Sequence, residues 1–389
     1  MRAVLKWAGR GIVAVVLLAV VIGVWQREAI TRLMAAVTLY DADKIVNNLS
    51  NMDRMFWTVD MDRGDGPVAA FAPGAPLTLP SDVQTWITDF NVTALVVLKD
   101  GKLVFDQYFL GTDATDKRMS FSVAKSFLSA LMGIVLDDGA IGSIDDKVTK
   151  YVPSLIGSAY DQTTIKDVLQ MSSGVTFDED YLAFNSDINR MSRTLALGQS
   201  MDQFTEKLTE TFQAPGTAWK YVSIDTHVLG MVIRGATGRP IAELMQEKII
   251  AKLGFEETPR YMVDGYGVAF VLGGLNVTTR DYARFAQMIA QDGEWQGQQV
   301  VPADWIAAST AASAKTAAGE FGYGYQWWIP VGAGPGEFMG RGIYDQYIYI
   351  NQPTGVVVAV NAANRRFRVK GASERNVAML RQISDALSE

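Results

Sequence analysis

The chain has 389 residues, 49% of them hydrophobic, and 35 Lys and Arg against 42 Asp and Glu give it a net charge of −7. That is enough apolar matter for one large domain or two smaller ones, and no basic cluster beyond the N-terminus marks a nucleic-acid partner. With no cysteine and a single histidine, His227, disulfides, thiol catalysis and lipidated-cysteine anchoring are excluded, and little room is left for a His-rich metal centre or a Ser-His-Asp triad.

Arg2, Lys6 and Arg10 precede a charge-free run of fifteen residues, Gly11 to Trp25. The pattern is that of a membrane-targeting segment, and no small-x-small cleavage site directly follows it. An uncleaved single-pass anchor over residues 1–33 is expected, in an inner membrane with the body exported to the periplasmic side; the alternative is secretion after signal cleavage. Residues 34–84 read as a helical and linker lead-in, mildly amphipathic to Phe56 and rich in Gly, Pro and Asp from Asp60 to Pro80.

Val92 to Leu98 and Leu103 to Phe109, joined across Asp100-Gly101, carry the signature of a β-hairpin. Met119 to Leu136 reads as an enclosed helix that stops at Asp137-Asp138-Gly139. Helical grammar then dominates to Gly293, with helices expected over Thr164–Met171, Ile224–Ala236, Ile241–Leu253 and Thr279–Ile289. Phe321–Ile329, Tyr344–Ile350 and Gly355–Val360 read as three strands, and Ala372–Leu387 as a closing helix. Strands at both ends with helices between them imply one sheet assembled from distant segments.

The chemistry centres on Ser122-Val123-Ala124-Lys125. On a helix, residues three apart lie on one face, so a hydroxyl and an amine become neighbours. A serine needs a base to take its proton, and a lysine serves only if burial keeps it neutral. The apolar surroundings, Phe127, Leu128, Leu131, Met132 and Ile134, provide that burial. On these residues alone the tetrad fits equally well a helix cap with an outward lysine. Tyr221-Val222-Ser223, at an element boundary after Pro215-Gly216, is the candidate proton route to a leaving group. His227 reads as a packed helix residue, Trp327-Trp328 as core with a substrate-wall role open to one of them, and Asp145-Asp146 as a solvated turn rather than a metal site.

In order and context, Ser122-Val123-Ala124-Lys125, Tyr221-Val222-Ser223 and a late Gly-rich strand resemble the serine β-lactamase and penicillin-binding-protein superfamily, particularly its class C-like esterase and 6-aminohexanoate-dimer hydrolase branch. Thr164-Ile165-Lys166-Asp167-Val168-Leu169-Gln170-Met171-Ser172-Ser173-Gly174, Gly273 to Asp281 and Gly322 to Trp328 are similar to further blocks of that branch. The resemblance implies an α+β fold, an antiparallel sheet flanked by helices with an inserted, mainly helical subdomain, in addition to the N-terminal membrane helix. The hydrolase domain would be residues 85–389, its sheet from about 85–115 and 300–389 and its helical region about 120–295.

By the same resemblance Ser122 would be the acylated nucleophile, Lys125 its base and Tyr221 the proton relay. Ser223, Tyr181, Arg341, Gly342 and Gln346 would bind substrate, with the second oxyanion amide close to Asp345 or Gln346. No cofactor and no metal are implied. Where relatives have Lys-Thr-Gly, this chain reads Gly340-Arg341-Gly342, and Lys315-Thr316-Ala317 lies in the wrong place. The expectation is therefore an esterase or amidase for small substrates; the alternatives are a D,D-peptidase, penicillin-binding or β-lactamase activity, or a non-catalytic binding relative.

Overall fold

The computed structural model describes residues 2–25 and 27–388. A seven-stranded antiparallel sheet organises the body, in the spatial order Lys102–Tyr108, Val92–Lys99, Val356–Ala362, Gln346–Asn351, Glu337–Gly342, Trp328–Ile329 and Gly322–Tyr323. The chain leaves this sheet after Tyr108 and returns at Gly322, so strands from its two ends are neighbours. The Asp-Gly hairpin forms as expected. Lys99 pairs with Lys102 across Asp100 and Gly101, whose φ values of 50° and 72° are those a two-residue turn requires.

Both faces of the sheet are covered. Val96, Leu98, Ile348, Ile350, Val357 and Ala359 enter one core with side chains of the helices Ala124–Asp137 and Thr279–Ala290. Leu95, Val97, Tyr347, Tyr349, Val358 and Val360 enter the other, with Ser81–Asp89 and the closing helix Ala372–Asp385. Successive strand side chains point to opposite faces. A sheet buried on both sides therefore needs apolar residues at nearly every position, which is why Val92 to Leu98 is an unbroken apolar run.

Two strand expectations are corrected. The Phe321–Ile329 stretch breaks into two short strands at Gln326, whose φ is 65°. Tyr344 and Asp345, at φ 58° and 64°, form a turn, so the strand expected from Tyr344 begins at Gln346. That turn joins it to the strand Glu337–Gly342, the late Gly-rich strand that the resemblance implied and that periodicity alone did not mark.

The helical expectations hold with small shifts. Thr164 and Asp167 cap Ile165–Leu169 reciprocally, and Gly238 ends Ser223–Thr237 in the left-handed conformation. A Cβ on Gly133 would stand 2.3 Å from the Trp305 ring, and that close approach lets Trp305 Nε1 donate to the Ser129 carbonyl at 2.9 Å.

A second sheet, Trp57–Asp60, Arg260–Val263, Leu275–Val277 and Arg118–Met119, ties the lead-in to the body. Leu39, Ile45, Leu49, Met52 and Phe56 share a core with Met119, Phe121, Ile188 and Phe270. Arg118, 1% exposed, donates to the Val46 carbonyl at 2.8 Å, and the Met119 amide donates to Leu49. The lead-in is thus built into the ground just before Ser122.

The membrane helix over residues 1–33 finds no support in the fold. The chain is helical over Arg2–Trp25 and Arg27–Val37, but no helix among the described residues is long and apolar enough to cross a membrane. The charge-free run of fifteen residues rises about 22 Å as a helix against a hydrocarbon core of about 30 Å.

Candidate active site

Ser122 sits on a single 3-10 turn, Phe121–Val123, directly before the helix Ala124–Asp137. Phe121 adopts φ 44°, a left-handed conformation rare for an aromatic residue and found where surrounding structure enforces it. One turn on, Lys125 is fully buried. Its Nζ donates to Ser122 Oγ at 3.2 Å and to the Leu272 carbonyl at 2.7 Å. Burial lowers its pKa to about 7, although the carboxylates of Glu179 and Asp225 pull the other way. The alternative of an outward, solvated lysine is excluded by that burial.

Tyr221 closes the group. Its phenol is near enough to the hydroxyls of Ser122 and Ser223 for both to favour its ionised form, and its ring centroid lies 5.6 Å from Lys125 Nζ. Burial, then the Glu179 carboxylate, raises its pKa well above the ordinary value. At neutral pH the phenol therefore keeps its proton while the lysine readily gives its own up. Opposite shifts of this kind are what an acid–base pair requires.

Ser223 opens the helix Ser223–Thr237, and Glu179 binds that helix end. Its carboxylate accepts from the Ser223 amide at 3.0 Å, from Ser223 Oγ, and from the Tyr181 phenol at 2.7 Å. A carboxylate is favoured there by the helix dipole and by the free amides. Glu179 thus holds Ser223 and Tyr181 beside Tyr221. Sequence reading singled out its segment for Tyr181 and gave Glu179 no part.

Arg341 and Gly342 lie at the end of the strand Glu337–Gly342 and line the same cleft of about 1000 Å³ as Ser122, Tyr181 and Tyr221. The Arg341 guanidinium stands 5.4 Å from both the Trp328 and Phe321 rings and bonds Ser373. A Cβ on Gly342 would meet the Ser120 carbonyl at 2.7 Å and the Ser122 amide nitrogen at 3.1 Å, so only glycine allows the strand to pass beside Ser122. Of the tryptophan pair, Trp327 is buried in the core and Trp328 lines the cleft.

Gln346 is a correction. It is 1% exposed, and its Nε2 donates to the carbonyls of Tyr344 and Ala362 at 2.9 and 2.8 Å while Oε1 accepts from Asn361 at 2.9 Å. It braces the turn from behind and does not face the cleft. Asp345, 3% exposed at the wall of the cleft, accepts from Asn364, and burial raises its pKa to about 6. Gly342 passes close to the Ser122 amide, where its Cβ would stand 3.1 Å from the nitrogen.

Asp225 is the second residue sequence reading passed over. It is fully buried, accepts from Ser173 Oγ at 2.7 Å and Tyr160 Oη at 2.8 Å, and its pKa is raised to about 7 by burial. His227 is a packed residue, as expected; its Nε2 meets Asp202 at 2.8 Å, away from the cleft. Among the described residues no group of His, Cys, Asp and Glu is arranged to hold a metal.

Known proteins resemble the chain over most of its length. A 6-aminohexanoate-dimer hydrolase of Paenarthrobacter ureafaciens is 28% identical over 292 residues, 71% of this chain and 74% of that protein. The solved structure of a Bacillus anthracis protein provisionally described as a 6-aminohexanoate-dimer hydrolase superposes with a TM-score of 0.80 at 22% identity, covering 90% of this chain and 96% of that one. A class C β-lactamase structure superposes at 0.59 and 17% identity, over 79% and 94% of the two chains, a likeness of fold. The β-lactamase family model matches residues 84–382, and the chain belongs to that family of serine hydrolases.

Proposed function

We propose that the protein hydrolyses amide or ester bonds of small substrates through an acyl-enzyme on Ser122. The observation that carries the reading is a buried amine with pKa near 7 placed 3.2 Å from the Ser122 hydroxyl, in a cleft that the Tyr221 phenol also lines. Lys125 takes the Ser122 proton as Oγ attacks the carbonyl carbon. The developing oxyanion is met by the amides of Ser122 and Ile343, the latter just beyond Gly342. The bond to the leaving nitrogen or oxygen breaks as that atom is protonated through Tyr221, whose phenol is refilled from Lys125. Water then attacks the ester on the same base and releases the acid.

Amide cleavage is favoured by the relative named for 6-aminohexanoate dimer. Replacing Ser122 by Ala should abolish hydrolysis of a small chromogenic ester, and a fluorophosphonate should add to Ser122 and nowhere else. Full activity in the Ser122→Ala protein refutes the reading.

A D,D-peptidase or penicillin-binding activity is the second reading. Arg341 favours it, as a cation in the cleft where a carboxylate would need one. Covalent labelling by a fluorescent penicillin separates the two. For location, the sequence pattern of Arg2, Lys6 and Arg10 ahead of a charge-free run is what supports an inner-membrane protein with an exported body, against the shortness of that run; recovery of full-length protein in the soluble fraction of gently lysed cells counts against it.

A further inference from the structure

Two cavities meet at Ser122. The first is the polar cleft described above. The second, about 530 Å³, is walled by Leu39, Tyr40, Phe56, Phe121, Ile188 and Leu272, and it too reaches Ser122 and Tyr181. That volume lies within the range of small-molecule sites. Among its described lining residues only Arg193 is charged, and its guanidinium is engaged by the Phe184 carbonyl at 2.7 Å. The cavity opens to solvent at one end and reaches Ser122 at the other, the shape a ligand site needs. At its mouth Val37, Leu182 and Phe184 are 72%, 85% and 74% exposed, an apolar rim at the end of the helix Arg27–Val37.

The two cavities differ in one residue that assigns their roles. Tyr221 lines the polar cleft and not the apolar cavity. If Tyr221 delivers the proton to the leaving atom, the leaving group lies in the polar cleft, among Lys220, Arg341, Asp178 and Glu374. The acyl group then points into the apolar cavity. We propose that the substrate is an amphiphile: an ester or amide of a hydrocarbon acid, with its chain in the apolar cavity and a polar or charged alcohol or amine in the cleft. This rests on the acyl-enzyme reading of Ser122. In that reaction the Ser122 oxygen takes the acyl carbon, the leaving atom departs with its proton, and water releases the free fatty acid and restores the serine.

A series of p-nitrophenyl esters from acetate through butyrate and octanoate to laurate tests the proposal on the full-length protein. Each methylene buried should raise kcat/KM roughly three- to fourfold until the cavity is full, on the order of a hundredfold from butyrate to octanoate. Ala36→Trp and Ala196→Trp fill the cavity from two different helices, and in either protein the octanoate-to-acetate ratio of kcat/KM should fall at least tenfold, with thermal melts confirming that the variant is folded. A flat series in an enzyme that Ser122→Ala inactivates overturns the proposal and leaves the acyl-enzyme standing. A chain-length preference that survives a folded variant at both positions also overturns it, since the chain then lies elsewhere. Activity that persists in Ser122→Ala overturns instead the catalytic reading beneath it.

Discussion

Replacing Lys125 by Met keeps an unbranched side chain of similar reach and removes the amine. In the native protein that amine is fully buried and its pKa is lowered from 10.5 to about 7, first by desolvation. In the unfolded chain it titrates near 10.5. Between those two values the unfolded chain holds a proton that the native chain does not, so wild-type stability rises with pH through this window. Below about 7 both states are charged and the native protein bears the whole cost of the buried cation. That cost is about 5 kcal/mol across the window, or about 1.4 kcal/mol per pH unit inside it.

The Met variant lacks this slope. It also loses two hydrogen bonds, to Ser122 and Leu272, at about 1 kcal/mol each. Those losses displace the variant's curve by a constant and do not tilt it. Urea unfolding of both proteins at pH 6, 7, 8 and 9 therefore isolates the amine, because every other titrating group is shared. The wild-type-minus-variant difference in unfolding free energy should climb by about 2–3 kcal/mol from pH 7 to 9. The same amine sets the acid limb of wild-type kcat/KM, which should have its midpoint near pH 7. Parallel stability curves, or an acid limb well away from that value, would refute the claim that a buried neutral lysine faces Ser122.

Three further substitutions divide the site by role. Glu179→Gln removes the largest charge favouring protonated Lys125, so the acid limb of the pH–rate profile should move to lower pH; the loss of an anion at the Ser223 helix end should cost about 1 kcal/mol in urea unfolding. Tyr221→Phe deletes the relay and should lower kcat by 10²- to 10⁴-fold without moving that limb, as steady-state kinetics would show. Gly342→Ala places a methyl 2.7 Å from the Ser120 carbonyl and 3.1 Å from the Ser122 amide; it should cost about 1–3 kcal/mol and most of the activity, read by thermal melts and by the rate of fluorophosphonate labelling.

The sheet hairpin, the caps at Thr164 and Gly238 and the Ser122–Lys125 turn were legible because each is written in consecutive residues with a fixed spacing. The Ser-x-x-Lys spacing alone left the direction of the lysine open; the Leu272 carbonyl that receives it is 147 residues away and leaves no local trace. Glu179 and Asp225 act through burial and partners equally remote, so no pattern of neighbours marked them. The strand Glu337–Gly342 is legible only through the family resemblance, because Gly340 and Gly342 interrupt its apolar alternation. A side chain at Gly340 would collide with Ile348 and Ser126, and one at Gly342 with Ser120 and Ser122. Gln346 was misassigned for the same reason: a polar residue beside a late-strand motif reads as substrate-facing until Asn361 and Ala362 are seen to take both ends of its amide.

Backbone strain gathers around the nucleophile. Phe121, Tyr344 and Asp345 all have φ between 44° and 64°, conformations that cost a non-glycine residue on the order of 1–2 kcal/mol each. Such positions persist only where something else fixes them. Here the rings do: Tyr344 lies 5.3 Å from Phe121, and Tyr40 of the lead-in stacks on Tyr344 at 4.7 Å and 15°. Arg118 and Met119, just before the strained turn, are bonded to Val46 and Leu49 of the same lead-in. The segment that reads in sequence as a connection between N-terminal helix and enzyme is therefore what holds Ser122 and the Tyr344 turn in place. It also supplies one wall of the apolar cavity, so the lead-in sets the posture of the nucleophile and the room beside it together.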